Sequence, residues 1–302
     1  KQNIYSDKAY YFITVNDDDG KRIQNAVPIS GNPVTEITNF NDYTFYENET
    51  SNLFATGRRW LGEEFSLENQ QTFQIPFSNA VQNEPLKITV RAVGVSGLTS
   101  TMKVNVNSQE LFSLNFSAIS SGSDNLASDR IGSENFSNTS STVSVLLDYD
   151  NGGNPSARAY LDFIEISGKK QLISDGFQFS FRNFSAANTS GIVEYQIQNS
   201  QNIYQIWEVS DHINVTSIAN ESSSGNFSFK AMGGDLKEYV VVSENDYYTP
   251  ESVANASIEN QNLHALKDIN YLLITTSEFL EQAQRIANFH IENSELTAKV
   301  VL

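Results

Sequence analysis

Apolar residues alternate with polar residues through successive short runs of this chain, and no other feature limits its possible folds as strongly. In the run 86–92, Leu, Ile, Val and Ala alternate with Lys, Thr and Arg. The same alternation recurs at residues 73–77, 102–106, 112–116 and 143–149. Successive side chains of a β-strand point to opposite faces, so a period of two predicts strands with one buried face. The spacing predicts an antiparallel β-sandwich or jelly roll over residues 35–170.

Two details of this first region carry specific expectations. Segment 120–140 is rich in Ser, Asn and Gly, which predicts an extended surface loop. The turn at 150–155 separates the run 143–149 from the run 157–166, which predicts that these runs pair as a hairpin. Ahead of this region, residues 1–34 are interpreted as an N-terminal β segment, the end of a preceding domain.

The remainder of the chain divides into a second β region and a tail with a different pattern. Alternating runs between 177 and 243 predict a smaller β domain over residues 171–262. From residue 263 onward, a continuous apolar run at 271–275 precedes apolar residues at helical spacing and another apolar run at 296–302. Strand, helix and strand in this order predict the start of a parallel α/β domain, which needs further strands to complete its core. We therefore interpret both ends of the sequence as cuts in a longer protein.

Composition excludes several classes of function. The 302 residues carry a formal net charge of −17, which disfavours nucleic acid as a partner. Cysteine is absent, so this chain has no disulfide, no cysteine-ligated metal and no thiol nucleophile. It has no apolar run of the length that spans a membrane, about 18 residues or more, and no signal peptide opens it.

Short segments at the end of the chain resemble the opening of gingipain-type cysteine peptidase domains, and most closely the branch formed by the sortases of type IX secretion. These segments are YLLITTSEFLEQA at 271–283, ANFH at 287–290 and LTAKVV at 296–301. Upstream segments that resemble the same branch lie at 10–23, 57–65, 158–166 and 206–215. In the last of these, Glu208, Ser210 and His212 replace the Asp, Thr and Pro of the family's pattern.

The resemblance implies a function for the full-length protein. Such sortases act at the surface of Bacteroidota-like bacteria, on the outer face of the outer membrane. They remove the C-terminal sorting domains of secreted cargo and attach the cargo to anionic lipopolysaccharide by transpeptidation, using a Cys nucleophile and a His. Implied partners are an outer-membrane β-barrel, other attachment-complex proteins, the cargo and the lipopolysaccharide.

No functional residue of the family can be placed in this chain. The Cys and the His of the family lie in the peptidase domain beyond residue 302, and this sequence has no Cys. The chain by itself is therefore predicted to be a non-catalytic β-rich portion, with no catalytic, cofactor-binding or metal-binding residue and no cofactor. The enzyme, a cysteine endopeptidase that acts as a transpeptidase, would be the full-length parent.

Two clusters of side-chain oxygens are candidate calcium sites. The run 16–20 (NDDDG) fails the EF-hand spacing because its first ligand position falls on Val15, so a hairpin turn is favoured. Asp148, Asp150, Asn151 and Asn154 form a denser cluster that Asp162 would approach if the predicted hairpin formed. Turn chemistry is the default for this cluster, and calcium remains the alternative.

The histidines and tryptophans give weaker indications. His212, His264 and His290 are far apart, and His290 lies on the apolar stripe of the predicted helix, which favours packing over catalysis. Trp207 lies in an alternating run and is predicted to be in a core, whereas Trp60 follows two arginines and is left open. An exposed tryptophan would suit the alternative function, a secreted carbohydrate-binding or adhesive β-sandwich surface protein.

Overall fold

The strands and helices are those of a mainly β protein, as predicted. The computed structural model describes residues 8–13, 19–53, 59–221, 224–244, 246–254 and 263–302. The strands of the first part are β1 (Gln24–Asn25), β2 (Thr35–Ile37), β3 (Asn39–Glu47), β4 (Glu64–Phe65), β5 (Gln70–Pro76), β6 (Leu86–Val95), β7 (Ser100–Val106), β8 (Gln109–Phe116), β9 (Ser128–Phe136), β10 (Thr142–Asp150) and β11 (Arg158–Gln171). They are followed by β12 (Phe179–Arg182), α1 (Phe184–Ala187), β13 (Ile192–Gln198), β14 (Ile203–Glu208), β15 (Thr216–Ala219), β16 (Asn226–Met232), β17 (Glu238–Ser243), β18 (Tyr271–Ile274), α2 (Leu280–Asn293) and β19 (Ala298–Val301). Short 3-10 helices lie at Leu263–Ala265 and Ser277–Phe279.

Residues 1–247 form one compact unit and residues 248–302 form a second. The largest sheet of the first unit has the strand order β1-β15-β14-β17-β12-β3-β11-β6-β9, and β4 also pairs with β11. The other two sheets of this unit have the orders β5-β10-β7-β8 and β16-β13-β2. The boundaries predicted at residues 34, 170 and 262 stay a prediction.

The first hydrophobic core lies between one half of the large sheet and the sheet β5-β10-β7-β8. Alternate residues of β6 and β11 fill it from one side, and alternate residues of β7 and β10 fill it from the other. Ile88, Val90, Val145 and Leu147 are fully buried, as their period of two predicts. This is the sandwich expected from the sequence.

The second hydrophobic core lies between the other half of the large sheet and the sheet β16-β13-β2. Aromatic rings dominate it: Phe181 stacks on Tyr239 with centroids 5.1 Å apart, and Tyr195 stacks on Phe229 with centroids 5.0 Å apart. Ile37 and Phe40 also belong to this core, although they precede the first sandwich in sequence. The large sheet thus contributes to both cores.

The loop predicted over 120–140 is wrong for its central part, because β9 occupies Ser128–Phe136 and pairs antiparallel with β6. The strand was missed because it lies at the edge of the sheet. Most of its side chains are polar and at least partly exposed, so the apolar alternation of a half-buried strand is absent.

The hairpin predicted between 143–149 and 157–166 is also wrong. β10 pairs with β5 and β7, whereas β11 pairs with β3, β4 and β6. The turn between them leads from one sheet of the sandwich to the other. A reversal of the chain was correctly indicated by the turn residues, but pairing between its two arms does not follow from a turn alone.

The second unit contains the predicted strand, helix and strand. β18 and β19 pair in parallel, and α2 connects them. A 3-10 turn at Ser277–Phe279, with Thr276 as its N-cap position, precedes α2. No helix in the described ranges has the length and apolar character needed to cross a membrane.

The N-terminal segment 1–34, interpreted from the sequence as β, forms little strand among its described residues. Residues 9–13 belong to no strand, and residues 14 and 15 lie outside the described residues. Most of the predicted turn at 16–20 also lies outside them.

Candidate functional site

A β-bulge in β11 creates the most distinctive polar site of the chain. Leu161 pairs with Ala92 and Phe163 pairs with Arg91, so Asp162 is the extra residue that no residue of β6 opposes. Core side chains therefore occur at Leu161 and Ile164, three positions apart instead of two. A bulge of this kind re-aims side chains, and here Asp162 and Phe163 both line the sheet face that is turned away from the core.

Two arginines and two aspartates form a connected network on this outer face. Arg59, from the segment before β4, donates to both carboxylate oxygens of Asp129 at 2.8 and 3.1 Å. Arg91 of β6 donates to the same two oxygens at 2.6 and 3.2 Å. Arg59 also contacts Asp162, and Nε of Arg91 lies 3.4 Å from Asp162. Planar guanidinium forks that meet carboxylates in pairs give the strongest geometry for such contacts.

The network changes the ionisation of its members. Burial opposes the charged form of Asp129, but the hydrogen bonds from Arg91 and Arg59 outweigh it and hold the pKa of Asp129 well below its ordinary range. The hydrogen bond to Asp129 is also the main cause that raises the pKa of Arg59. Both groups are therefore charged at any physiological pH.

An open cleft of about 670 Å³ lies beside this network. We call it the arginine cleft, and its lining residues are Phe45, Glu47, Glu49, Arg59, Trp60, Arg91, Asp162 and Phe163. Phe45 and Phe163, from the paired strands β3 and β11, stack with ring centroids 5.0 Å apart. The side chain of Trp60 is exposed, with 43% of the residue's surface accessible.

Carboxylates give the arginine cleft an acidic side. Glu47 and Glu49 form no ion pair with any residue that the structure describes. Burial raises the pKa of Glu47, and the nearby charges of Glu49 and Asp162 raise it further. The cleft thus offers exposed aromatic faces, hydrogen-bond acceptors and guanidinium groups already neutralised by aspartate. Groups of these kinds are suited to binding a ligand.

The oxygen cluster considered as a calcium site is occupied by turn hydrogen bonds. Asp150, Asn151 and Asn154 each accept from a backbone N–H two residues further along the chain, at 3.0, 2.9 and 3.1 Å. Asp148 lies in β10, and Asp162 lies in the other sheet, bonded to the arginines. The expectation that Asp162 approaches this cluster is wrong, and the described residues contain no group of side chains placed to hold a metal. Asx turns explain the cluster.

His212 and His290 have different surroundings. His212 is exposed and its Nδ1 lies 3.0 Å from the carbonyl of Val209. His290 of α2 packs edge-on against Tyr271 with ring centroids 4.6 Å apart, in agreement with a packing role. The side chain of His264 lies outside the described residues.

The tryptophans differ in their surroundings. Trp207 is half-buried on β14, and its indole N–H donates to Gln205 at 2.8 Å. Trp207 belongs neither to the buried residues of the second core nor to the half-buried ones packed against it, so its predicted core position is wrong. Its neighbour Ile206 is the residue of β14 that is buried in this core. Trp60, which the sequence left open, lines the arginine cleft.

Sequence reasoning missed Arg59, Arg91 and Asp129 as site residues. Asp129 was hidden in the predicted loop, and 70 residues separate it from Arg59. A local signal existed only for the bulge, in the three-residue spacing between Leu161 and Ile164. It could have indicated that Asp162 faces away from the core.

Comparison with known proteins gives a similarity that covers nearly the whole chain. No family profile matches the sequence, and no curated protein is similar to it in sequence. Among solved structures, dimeric latent PorU from Porphyromonas gingivalis superposes with a TM-score of 0.72 and 20% identity over 93% of this chain. The chain has the fold of this region of PorU. The matched region is 27% of the PorU chain, so this chain spans about a quarter of that protein. The resemblance inferred from short segments is therefore confirmed at the level of fold.

Weaker similarities concern smaller parts of the chain. The carbohydrate-binding module CBM36, solved with calcium and xylotriose, matches 43% of this chain with 16% identity and a TM-score of 0.28. The CBM36-1 domain of a multidomain xylanase from the hindgut metagenome of Trinervitermes trinervoides matches 42% with 12% identity and a TM-score of 0.30. Overlaps with scores this low carry no inference about fold or ligand.

Proposed function

We propose that this chain is the non-catalytic, β-rich arm of a cell-surface type IX secretion sortase of the PorU kind. The observation that carries the proposal is the agreement of fold with PorU over 93% of the chain. The agreement extends through two linked β-sandwiches. It is therefore more specific than a match to one sandwich, an architecture that many unrelated proteins share.

Exposed apolar residues in the second unit add support. On β18, Leu272 and Ile274 are exposed, the latter with 78% of its surface accessible. Leu280, Ile286 and Phe289 of α2 are exposed as well. One helix on a two-stranded parallel sheet leaves apolar surface uncovered, which is typical of a unit that packs against further strands of an α/β domain.

The proposed full-length protein would cleave the C-terminal sorting domains of secreted cargo and attach the cargo to anionic lipopolysaccharide. Cys and His residues of a peptidase domain would perform this chemistry, and none of it would fall to residues of this chain. The β-rich arm would position the peptidase on the outer face of the outer membrane. Its partners would be an outer-membrane β-barrel, other type IX attachment proteins and the cargo.

The proposal can be tested in the bacterium that encodes the protein. Deletion of the gene should leave secreted cargo with its C-terminal sorting domain attached, which mass spectrometry of surface fractions would detect. Complementation with the full-length gene should restore processing. A version that lacks residues 1–247 should fail to restore it even when the peptidase domain is expressed.

Two outcomes would contradict the proposal. Normal cargo processing in the deletion strain would remove the sortase role. A native polypeptide without an α/β domain that bears Cys and His, established by intact-mass measurement and peptide sequencing, would remove the enzyme as well.

A second candidate function, a secreted carbohydrate-binding or adhesive surface protein, is favoured by one observation. Trp60 presents an exposed ring in the arginine cleft beside the stacked pair Phe45 and Phe163. Aromatic faces of this kind suit recognition of sugar rings. If this function holds, Trp60→Ala should abolish glycan binding. Tyr43→Ala, which removes an exposed ring two residues before Phe45 on β3, is the control. Retention of binding by the Trp60 variant would contradict it.

A further inference from the structure

A second cleft, of about 560 Å³, lies at one end of the second sandwich. Its lining residues lie in the turn before β12, in and after the turn between β13 and β14, and at the described positions 220–221, 243–244 and 246 that end or follow β15 and β17. We call it the amide cleft and define it by Phe177, Gln201, Asn202, Tyr204, Glu221, Ser243, Glu244 and Asp246, together with the neighbouring residues Gly176, Ile203 and Asn220. It is separate in sequence and in lining residues from the arginine cleft.

The loops of the amide cleft are held in place by hydrogen bonds that do not use its exposed side chains. Asn199 Nδ2 donates to the carbonyl of Ser174 at 2.6 Å, and Asn220 Nδ2 donates to the carbonyl of Ile203 at 2.9 Å. The backbone N–H of Gln178 donates to Asp246 at 2.6 Å. These contacts tie the loops to one another, so the cleft is formed before any ligand binds.

Other polar groups of the amide cleft remain unused. The side-chain amides of Gln201 and Asn202 are exposed and form no hydrogen bond with any residue that the structure describes. Ser243 lies at the end of β17 with 3% of its surface accessible, and its hydroxyl has no hydrogen-bond partner within the described ranges. A buried hydroxyl without a partner is unfavourable, and Ser243 lines the cleft where a bound ligand can supply one.

Two aromatic rings flank these polar groups. Phe177 is exposed over 65% of its surface and Tyr204 over 46%. Large aromatic rings left in water at a concave polar site indicate a ligand that covers them. The C–H groups on one face of a pyranose ring are attracted to the negative face of an aromatic ring. Planar amides next to such a ring can donate to one hydroxyl and accept from its neighbour.

The same geometry argues against two other classes of ligand, an added peptide strand and an anion. A peptide that adds to a sheet needs a free strand edge, but β14 pairs with β15 and β17, and β17 pairs with β12 and β14. An anionic ligand needs positive charge, but the charged side chains that line the cleft are Glu221, Glu244 and Asp246, and none of the lining residues is basic.

We propose that the amide cleft binds a neutral oligosaccharide, with Phe177 and Tyr204 stacking on sugar rings and Gln201 and Asn202 bonding adjacent hydroxyls. This site is independent of the proposed sortase role. A sortase arm and an adhesive protein could each carry it, so its failure would leave the proposed function untouched.

The test is a titration of the full chain with neutral xylo-, cello-, manno-, malto- and N-acetylchito-oligosaccharides, by calorimetry and by saturation-transfer NMR. At least one of them should bind. Asn202→Ala and Tyr204→Ala should each weaken that binding by about tenfold or more. Because Asn202 is exposed and without a partner among the described residues, its variant should keep the thermal stability of the parent. Tyr43→Ala removes a comparably exposed tyrosine that lines neither cleft and should bind normally.

Three results would overturn the proposal. The first is that none of these neutral sugars binds. The second is that a sugar binds with unchanged affinity to the double variant Phe177→Ala, Tyr204→Ala. The third is that binding is lost in Trp60→Ala but kept in Asn202→Ala and Tyr204→Ala, which would place the sugar in the arginine cleft.

Discussion

The guanidinium of Arg59 donates two hydrogen bonds to one carboxylate oxygen of Asp162, from Nε at 3.2 Å and from Nη2 at 2.8 Å. The side chain of Asp162 is 7% exposed, whereas that of Arg59 is 41% exposed. Arg59 thus covers a buried carboxylate that the β-bulge places on the outer face of the sheet. Through its other contacts with Asp129, it also fastens the segment before β4 to strands β9 and β11.

Replacement of Arg59 by Met should lower the free energy of unfolding by about 1–3 kcal/mol. Among the residues that the structure describes, Asp162 would then keep only the more distant contact with Arg91, at 3.4 Å. Arg59→Lys should lose part of this amount, because an ammonium group cannot replace the planar fork. Chemical denaturation measures the change. Lys103→Met, which breaks an exposed pair with Glu110, is the control and should cost about 0–1 kcal/mol. Equal losses in both Met variants would contradict the structural role of Arg59.

Acid should remove the contribution of Asp129 to the free energy of unfolding. Its pKa in the folded protein is below the ordinary value, so its contribution to stability is complete above the unfolded pKa of about 3.9 and is lost as the pH falls through the folded value. The difference in unfolding free energy between the parent and Asp129→Asn should be constant above about pH 5 and shrink below about pH 4. Denaturant titrations across this range measure it. A difference that stays constant as the pH falls below about 4 would show that the network does not depend on the charge of Asp129.

Alkali should act on the contact between Tyr46 and Glu63. The Tyr46 hydroxyl donates to Glu63 at 2.5 Å, and burial followed by this bond and the charge of Glu63 raise the pKa of Tyr46 to about 12. An unfolded tyrosine ionises near pH 10, so the parent loses stability between about pH 10 and 12 as the unfolded state releases its proton first.

Tyr46→Phe should be less stable than the parent by about 1–3 kcal/mol at pH 7, because Glu63 loses its shortest hydrogen bond. The gap should narrow above about pH 10, since the variant lacks this ionisation. Other buried tyrosines, such as Tyr195, contribute to both proteins and cancel in the difference. A gap that stays constant to high pH would contradict the assignment.

Two adjacent glycines in the turn after β10 should respond differently to alanine. Gly152 and Gly153 both have positive φ, at +63° and +79°. A Cβ on Gly152 would lie 2.1 Å from the carbonyl oxygen of Thr99, whereas a Cβ on Gly153 would have no atom within 4 Å. Gly153→Ala should cost about 1–2 kcal/mol for backbone strain alone. Gly152→Ala should cost about 1–3 kcal/mol more, because the backbone of Thr99 must move. Thermal unfolding of the two variants measures the difference. Equal losses of stability would show that the backbone of the turn does not pass as close to Thr99 as the structure has it.

The strands of the cores were readable in the sequence because a half-buried strand reveals its period. Ile88 and Val90 illustrate this, and so do Val145 and Leu147, all of which are buried. The edge strand β9 was not readable, since most of its side chains face solvent and its stability comes from pairing with β6. Local patterns describe what a segment buries, and they say little about a segment that is held mainly by its neighbour's backbone.

The candidate site was even less accessible from sequence. Arg59 and Asp162 are 103 residues apart, and no local pattern links two positions at such a separation. The turn after β10 was recognised, but its residues indicate only that the chain reverses. Whether the returning strand pairs with the departing one or crosses to the opposite sheet depends on how both sheets pack. For this reason Asp162 was expected beside Asp150, although it lies on the other sheet.

The stretch from β2 to β3 supplies Ile37 and Phe40 to the second core and Tyr46 to the first. A recombination event that replaced the first sandwich with a homologous one would therefore also replace part of the wall of the second. Exchange of one sandwich without the other would therefore leave mismatched packing around β2 and β3. Chimaeras in which both sandwiches are transferred together should fold. The two sandwiches of one protein could then be moved into another as one unit.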